Sequence, residues 1–251
     1  MKKLLVLLVL VCAVSALAEE KVLYTLDFED YEAGSFNNKY GWDRRGWSTR
    51  LEAVHDSTAA HSGNVYLDSD GANSWKDDID ISSSYVVGND LLIKFYVKIP
   101  SDSNTKPFHV KLHNIGTLIQ DKTWNGYNKE IMEFQIGKSS YYISYGGGSV
   151  NRSGLDLTDH WMECGAVIDP STKTIKSAYV GEFAYDFEDS PVSYSCTETG
   201  CNNLIDGVRI MGNGGAGCLG CFDDFSITML PEPAVFGLIA LLGLFFARKQ
   251  R

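Results

Sequence analysis

Basic residues are scarce in this sequence relative to acidic ones. It holds 22 Lys and Arg against 32 Asp and Glu, which gives a formal net charge of −10 at pH 7. Nucleic acids and anionic lipid surfaces attract proteins through clustered basic side chains. This charge balance disfavours both as partners and suits a soluble extracellular protein, including one that meets cations.

Amphipathic helical patterns are absent between residues 19 and 230, and so are internal repeats and long low-complexity linkers. Residues 91–99 instead alternate, with apolar side chains at 91, 93, 95, 97 and 99 and with Lys94, Tyr96 and Lys98 on the other face, which is typical of a half-buried strand. The same period appears in residues 108–113 and 131–136, and residues 167–181 predict two strands joined by a turn at 169–172. Further predicted strands span residues 22–29, 65–68, 141–145, 161–168, 205–211 and 222–229. The fold class is therefore all-β, a sandwich or a barrel.

Residues 1–18 have the three parts of a secretory signal peptide. Lys2 and Lys3 form the basic start, residues 4–14 are apolar, and Ala16-Leu17-Ala18 fits the small-x-small rule for cleavage before residue 19. A membrane anchor is the alternative, but the apolar run is short for a span. We expect an exported protein.

A second composite signal occupies residues 231–251. It combines Pro231, Glu232 and Pro233 with an apolar run at 234–247 and a basic cluster at 248–251. As a helix the run would be about 21 Å long, short of the hydrocarbon core of about 30 Å. Basic residues beyond it should stay cytoplasmic.

This combination resembles the PEP-CTERM sorting signal of Gram-negative bacteria. The resemblance implies a short membrane helix, transient anchoring in the inner membrane, and recognition by a membrane-embedded exosortase that cleaves near the motif. It also implies delivery to the cell surface or extracellular matrix. A plain tail anchor is the alternative.

Between the two signals lies one domain of ordinary size, residues 19–230. Without the signals it holds 17 basic and 31 acidic residues, a net charge of −14. Its landmarks are "LDFED", "HSGNVYLDSDG", "HWMECGAVIDPSTKTIKSAYVG" and a closing "FDDFSIT". Their order resembles the concanavalin A-like and laminin-G-like jelly rolls, which implies a jelly-roll β-sandwich.

Five cysteines remain in this domain: Cys164, Cys196, Cys201, Cys218 and Cys221. The last four have a spacing superficially like that of a four-thiolate zinc site. Export favours disulfides instead, so we expect two bridges among those four, with the pairing open. Cys164 alternates with apolar residues and is predicted to be a buried thiol.

The sequence calls for no cofactor, with a structural calcium ion as the one alternative. First and last strands of such jelly rolls often lie side by side. Glu29, Asp30, Asp223 and Asp224 would then bring hard oxygen ligands together at the ends of those strands. Exposed turn carboxylates are the other interpretation.

The first enzyme hypothesis is a glycoside hydrolase, and the residues do not fit it well. Residues 130–138 resemble the catalytic strand of jelly-roll glucanases, which implies a pair of carboxylates about 5 Å apart. Glu130 and Glu133 are three residues apart, so a regular strand predicts that they face opposite sides. Met132 stands where that pattern has an assisting Asp. We therefore expect no hydrolase.

A predicted polar face gives a second enzyme hypothesis, a jelly-roll polysaccharide lyase. Such lyases use His or Tyr for proton abstraction, and Gln135 begins a similar motif in which Gly137 replaces the family's His. The residues of this face are His109, Lys111, His113, Glu133, Gln135, Lys94 and Tyr96. A solvated outer surface is the simpler interpretation.

Glycan binding is the non-catalytic hypothesis. Aromatic side chains in polar loops stack on sugar rings while polar neighbours bind hydroxyls. The candidates are Trp42, Trp47, Trp75, Trp124 and Tyr127. The alternative is that these large side chains cap the ends of the sandwich core. We thus expect an exported, non-catalytic surface or matrix protein, with or without glycan binding and with a polysaccharide as the candidate ligand. A carbohydrate-active enzyme, either lyase or glycosidase, is the alternative.

Overall fold

A computed structural model describes ten stretches of the chain: residues 20–35, 39–44, 50–71, 73–114, 130–146, 148–187, 189–190, 192–194, 204–212 and 218–231. Every regular element in these stretches is a β-strand. The strands are β1 (Lys21–Leu26), β2 (Gly34–Ser35), β3 (Trp42–Arg44), β4 (Arg50–His55), β5 (Val65–Asp70), β6 (Asn73–Lys76), β7 (Leu91–Lys98), β8 (Phe108–His113), β9 (Glu130–Ile136), β10 (Ser140–Tyr145), β11 (Gly148–Ser153), β12 (Trp161–Asp169), β13 (Thr174–Val180), β14 (Phe183–Asp186), β15 (Val192–Ser193), β16 (Gly207–Gly212) and β17 (Leu219–Met229).

Two antiparallel sheets form a sandwich, which confirms the all-β prediction. The ten-stranded sheet has the order β14-β13-β12-β7-β17-β5-β4-β2, with β1 also paired to β17 and β15 to β13. The seven-stranded sheet has the order β11-β10-β9-β8-β16-β6-β3. Both predicted terminal signals lie outside the described residues, apart from Pro231. Within the described stretches, no helix has the length and apolar character needed to cross a bilayer.

The core lies between the sheets and follows from alternation along each strand. In β7 the side chains of Leu91, Ile93, Phe95 and Val97 are fully buried, while the residues between them are partly exposed. Phe95 meets Phe134 of the facing sheet edge-on, with ring centroids 5.1 Å apart. Aromatic pairs in this geometry add to the hydrophobic gain of burial.

One edge of β17 is shared by two strands. Residues 219–222 pair with β5 and residues 225–229 pair with β1, while β7 runs along the opposite edge. The register shifts between Asp223 and Ser226, and Asp224 adopts a φ of 48°. We call Asp223 and Asp224 the β17 junction. It is the point at which the ends of β1 and β5 meet.

The cysteines are only partly described. Cys164 is fully buried and free, as predicted, and burial raises the pKa of its thiol. No disulfide joins Cys218 to Cys221, and both are buried. Cys196 and Cys201 lie outside the described residues, so a bridge that involves them stays a prediction.

Candidate functional site

A cluster of charged and polar side chains lies on the face of the seven-stranded sheet that points away from the core. Its members are Trp75, His109, Lys111, His113, Glu130, Glu133, Gln135 and Arg209, and we call them the polar cluster. In β8 the apolar residues point into the core, so His109, Lys111 and His113 must share the other face. All three are nevertheless buried, so this face is not a solvated surface.

A β-bulge places both glutamates in this cluster. Leu112 pairs with Met132, but the next residue of β8 pairs with Glu130, which leaves one extra residue in β9. Glu130 and Glu133 therefore face the same side, and each places a carboxylate oxygen 2.8 Å from Lys111 Nζ. The prediction that they face opposite sides is wrong, because it assumed a regular strand.

Glu133 is the most densely bonded carboxylate of the cluster. Its Oε1 accepts from His109 Nδ1 at 2.5 Å and from Lys111 Nζ at 2.8 Å. Its Oε2 accepts from Gln135 Nε2 at 3.0 Å and from Ser144 Oγ at 3.3 Å. Burial alone would raise the pKa of this carboxyl, but these hydrogen bonds and the lysine charge outweigh it and lower the pKa to about 2. Glu133 is therefore ionised at neutral pH.

Glu130 responds in the opposite direction. Burial raises the pKa of its carboxyl, and the hydrogen bond from Lys111 only partly offsets that effect. Two carboxylates that share one lysine thus have environments that push their pKa values apart.

Trp75 and Arg209 form the second half of the cluster. They face each other across β6 and β16, and the guanidinium carbon lies 4.7 Å from the centre of the indole ring. Arg209 Nε also donates to Asn73 Oδ1 at 2.9 Å. The indole also contacts the His113 ring, with centroids 4.5 Å apart. The result is a cation–π pair beside an imidazole.

The two histidines carry unused hydrogen-bonding capacity. Burial, with the nearby charges of Arg209 and Lys111, lowers the pKa of His113 to about 3, so its ring is neutral. Both of its ring nitrogens and His109 Nε2 are buried without a hydrogen-bond partner in the described chain. Buried polar atoms without partners are uncommon and cost about 1–3 kcal/mol each. They point to a ligand or water at this site.

The predicted aromatic platforms divide into three groups. Trp75 belongs to the polar cluster. Trp42 packs in the core at 2% exposure, and its Nε1 donates to Tyr31 Oη at 3.1 Å. Trp47, Trp124 and Tyr127 lie outside the described residues.

The predicted polar face is in fact two faces on opposite sides of the sandwich. Lys94 and Tyr96 belong to β7, in the ten-stranded sheet, and point away from the core on that side. Their predicted grouping with His109 and His113 is wrong, because similar alternation occurs in strands of both sheets.

The four residues predicted to hold calcium have different surroundings. Glu29 accepts hydrogen bonds from two backbone N–H groups at the start of β5, at 2.7 and 2.9 Å. Asp223 is fully buried and accepts from the backbone of His61 and Asp224, whereas Asp30 is exposed. In the described stretches, no group of three or more His, Cys, Asp or Glu side chains is arranged to hold a metal ion. Calcium binding stays a prediction.

Comparisons with known proteins bear on the fold. No family model matches the chain, and no curated protein matches it. Three solved structures are similar: the conserved carbohydrate esterase of the Shiga toxin-encoding bacteriophage phi24B, the catalytic domain of a glycoside hydrolase family 131 protein from Coprinopsis cinerea, and the globular domain of T. cruzi calreticulin. Each has a TM-score of 0.51.

Sequence identity to these three proteins is low, at 11%, 14% and 11% in that order. The alignments cover 84%, 82% and 92% of this chain and 100%, 94% and 100% of the other chains. Similarity of this kind shows a shared fold, the jelly-roll β-sandwich, and leaves function to the site.

Proposed function

We propose that this protein is an exported, non-catalytic glycan-binding protein of the cell surface or extracellular matrix, and that the polar cluster is its binding face. The observation that carries the proposal is the set of unpartnered nitrogens on His109 and His113 beside the Trp75–Arg209 pair. Sugar hydroxyls both donate and accept hydrogen bonds, and sugar rings stack on indoles. Because these side chains are buried, a ligand reaches them only when this face opens.

Binding fits this cluster better than catalysis does. Glu133 accepts four hydrogen bonds, and Lys111 bridges it to Glu130. A nucleophile or base engaged in this way would have to break several of these bonds before it could react. A binding site needs no such rearrangement of its carboxylates.

Glycoside hydrolysis is the second candidate, and one observation favours it. Glu130 and Glu133 contact the same Nζ atom at 2.8 Å, so their oxygens lie no more than twice that distance apart. Retaining glycosidases hold two carboxyls about 5 Å apart, with their pKa values pushed apart. Two proteins that share the fold are described as a carbohydrate esterase and a hydrolase catalytic domain.

Assays for reducing ends and for unsaturated products separate binding from cleavage. We expect a glycan array to show ligands for the purified protein and neither assay to show turnover of those ligands. Turnover that Glu133→Gln abolishes would establish the hydrolase and remove the non-catalytic proposal.

Replacing Trp75 with Ala should weaken glycan binding by roughly 10- to 100-fold, because the stacking surface and the support of Arg209 disappear together. Calorimetric titration with the best array ligand measures this. Phe183→Ala is the matched control, because it removes the ring of another cation–π pair. The guanidinium carbon of Arg152 lies 4.0 Å from the centre of the Phe183 ring, at the opposite edge of the sandwich. Equal affinities for the two variants would exclude the polar cluster as the binding face.

For sorting, we propose that Pro231, Glu232 and Pro233 are recognised by an exosortase-type protease. The basis is the combination of this motif with a short apolar run and a basic cluster. We expect native surface material to lack residues 234–251, as intact-mass spectrometry would show. Glu232→Ala should leave the precursor in the inner membrane. A mature mass that includes Arg251 would contradict the proposal.

A further inference from the structure

A second concave site lies on the opposite side of the sandwich from the polar cluster. It is a pocket of about 450 Å³ on the outer face of the ten-stranded sheet, beside the β17 junction. Its lining includes residues of β1, β7 and β17 and of the turn that precedes β5. This volume is in the range typical of small-ligand sites.

The floor of the pocket is a row of three polar side chains in register. Thr25 of β1 pairs with Ser226 of β17, and Ser226 pairs in turn with Lys94 of β7. Ile93 and Ile227, their neighbours along the chain, are fully buried, so the row faces outward. Neither hydroxyl of the row has a hydrogen-bond partner in the described part of the chain, and Lys94 Nζ lies 3.9 Å from Glu163 Oε2.

His61 stands at the side of the pocket and is held in place from several directions. Its Nδ1 donates to Asp224 Oδ2 at 2.6 Å, and its ring stacks on Tyr96 with centroids 3.4 Å apart. Its backbone N–H donates to Asp223 Oδ2 at 3.0 Å. Because Asp224 occupies Nδ1, the remaining ring nitrogen, Nε2, is the one left for a ligand.

Tyr96, on which the His61 ring stacks, is also held in place by hydrogen bonds. Tyr96 Oη donates to Glu163, and Tyr179 Oη donates to the other oxygen of the same carboxylate at 2.8 Å. Ser62 Oγ donates to Asp224 Oδ1 at 2.8 Å, so the seryl oxygen is directed at the carboxylate and not at the imidazole. The arrangement therefore lacks the serine–histidine contact of a nucleophilic triad, and it is organised for binding.

The charges around the pocket favour a neutral ligand. Asp27 and Asp224 line it together with Lys94, so charges of both signs are present and the lining does not select an anion or a bare cation by charge alone. Two hydroxyls, an ammonium, an imidazole nitrogen and a carboxylate supply donors and acceptors in similar numbers. A compact molecule with many hydroxyl groups uses both kinds.

We propose that this pocket is a second saccharide-binding site, which takes one or two neutral sugar residues. This proposal rests on the proposed glycan-binding function, although the pocket is a site separate from the polar cluster. Since the two sites lie on opposite sides of the sandwich, one molecule can hold two glycan chains at once. Such a protein links polymer chains in addition to adhering to one of them.

Nuclear magnetic resonance of protein labelled with ¹⁵N-histidine tests the pocket, because His61 and His113 report on the two sites separately. The probes are the methyl glycosides of glucose, mannose, galactose and xylose, with methyl glucuronide as the charged comparison. We expect a saturable change in the His61 ring signals with at least one neutral glycoside. Ser226→Leu fills the floor and should weaken this binding at least roughly tenfold.

Two controls and a second pocket variant keep the result specific. His160→Gln changes an exposed histidine outside the pocket, and Trp75→Ala changes only the polar cluster, so both should keep the His61 response. Thr25→Ala serves as a second pocket variant if Ser226→Leu fails to fold, and it should weaken binding in the same direction.

The proposal fails if no neutral glycoside changes the His61 signals, if only the glucuronide does, or if the response survives both pocket variants. A His61 response without any effect of Trp75→Ala on glycan affinity would leave the pocket in place and remove the proposed function of the polar cluster. The two failures are therefore distinguishable.

Discussion

Replacing Lys111 with Met should lower the free energy of unfolding by about 3–5 kcal/mol at pH 7. The lysine side chain is 9% exposed and its ammonium contacts both Glu130 and Glu133 at 2.8 Å. Without it, two carboxylates remain close together in a poorly solvated place, and like charges there repel strongly. Unfolding in urea, followed by tryptophan fluorescence, measures the change.

Two further variants make this result interpretable. Lys138→Met removes a lysine whose ammonium, among the described residues, donates to one backbone carbonyl, and we expect a loss of stability below about 1 kcal/mol. Adding Glu130→Gln to Lys111→Met removes one of the two stranded charges and should restore part of the lost stability. If the Lys111 and Lys138 variants lose the same amount of unfolding free energy, the buried ion network does not stabilise the fold.

The contribution of Asp223 to stability should fall as pH rises from 5 to 8, by up to about 3 kcal/mol. Burial, followed by the charge of Asp224, raises the pKa of this carboxyl from 3.8 to about 7. The unfolded chain releases the proton near pH 4 while the folded protein keeps it. The contribution is therefore fully present below about pH 4 and is lost as pH rises through about 7. Urea unfolding at each pH measures it.

The difference in unfolding free energy between the native protein and Asp223→Asn should therefore decrease as pH rises from 5 to 8, whereas Asp30→Asn, which changes an exposed carboxylate, should show no such trend. His113 acts in the opposite direction, because burial lowers its pKa to about 3 and stability is therefore gained as pH rises toward 6.5; comparing native protein with Asp223→Asn at each pH cancels this effect. Glu133 does not contribute in this range. Its pKa is lowered to about 2, so its contribution is present above the unfolded pKa and is lost only as pH falls toward 2. A native protein whose stability is level or increases between pH 5 and 8, with the same slope in Asp223→Asn, would show that Asp223 is ionised throughout.

Alternation along single strands was readable from the sequence, and it predicted much of the fold. The apolar and polar residues of 91–99 and 108–113 occupy the faces that a period of two assigns to them. Such alternation depends only on neighbouring residues in the chain. It therefore does not depend on which strands lie side by side.

The parts of the site that were not predicted depend on contacts between distant strands. The bulge that brings Glu130 beside Glu133 exists only in the pairing of β8 with β9. Arg209 alternates with Val208 and Ile210, which is a signal for a strand, but its position beside Trp75 and Lys111 follows from the order of strands in the sheet. Lys94 could not be assigned to one sheet or the other by its pattern alone.

The position of β17 has a consequence for how the domain acquires its structure. This strand comes last among those described, yet it lies in the middle of the ten-stranded sheet and pairs with β1, β5 and β7. Contacts between residues so far apart in the chain form slowly, because a long loop must close first. A growing chain cannot complete the sheet until residue 229 has been synthesised, so the domain stays incompletely folded up to that point. If the protein is exported as proposed, a secretion channel that accepts only unfolded chains would gain time to engage it.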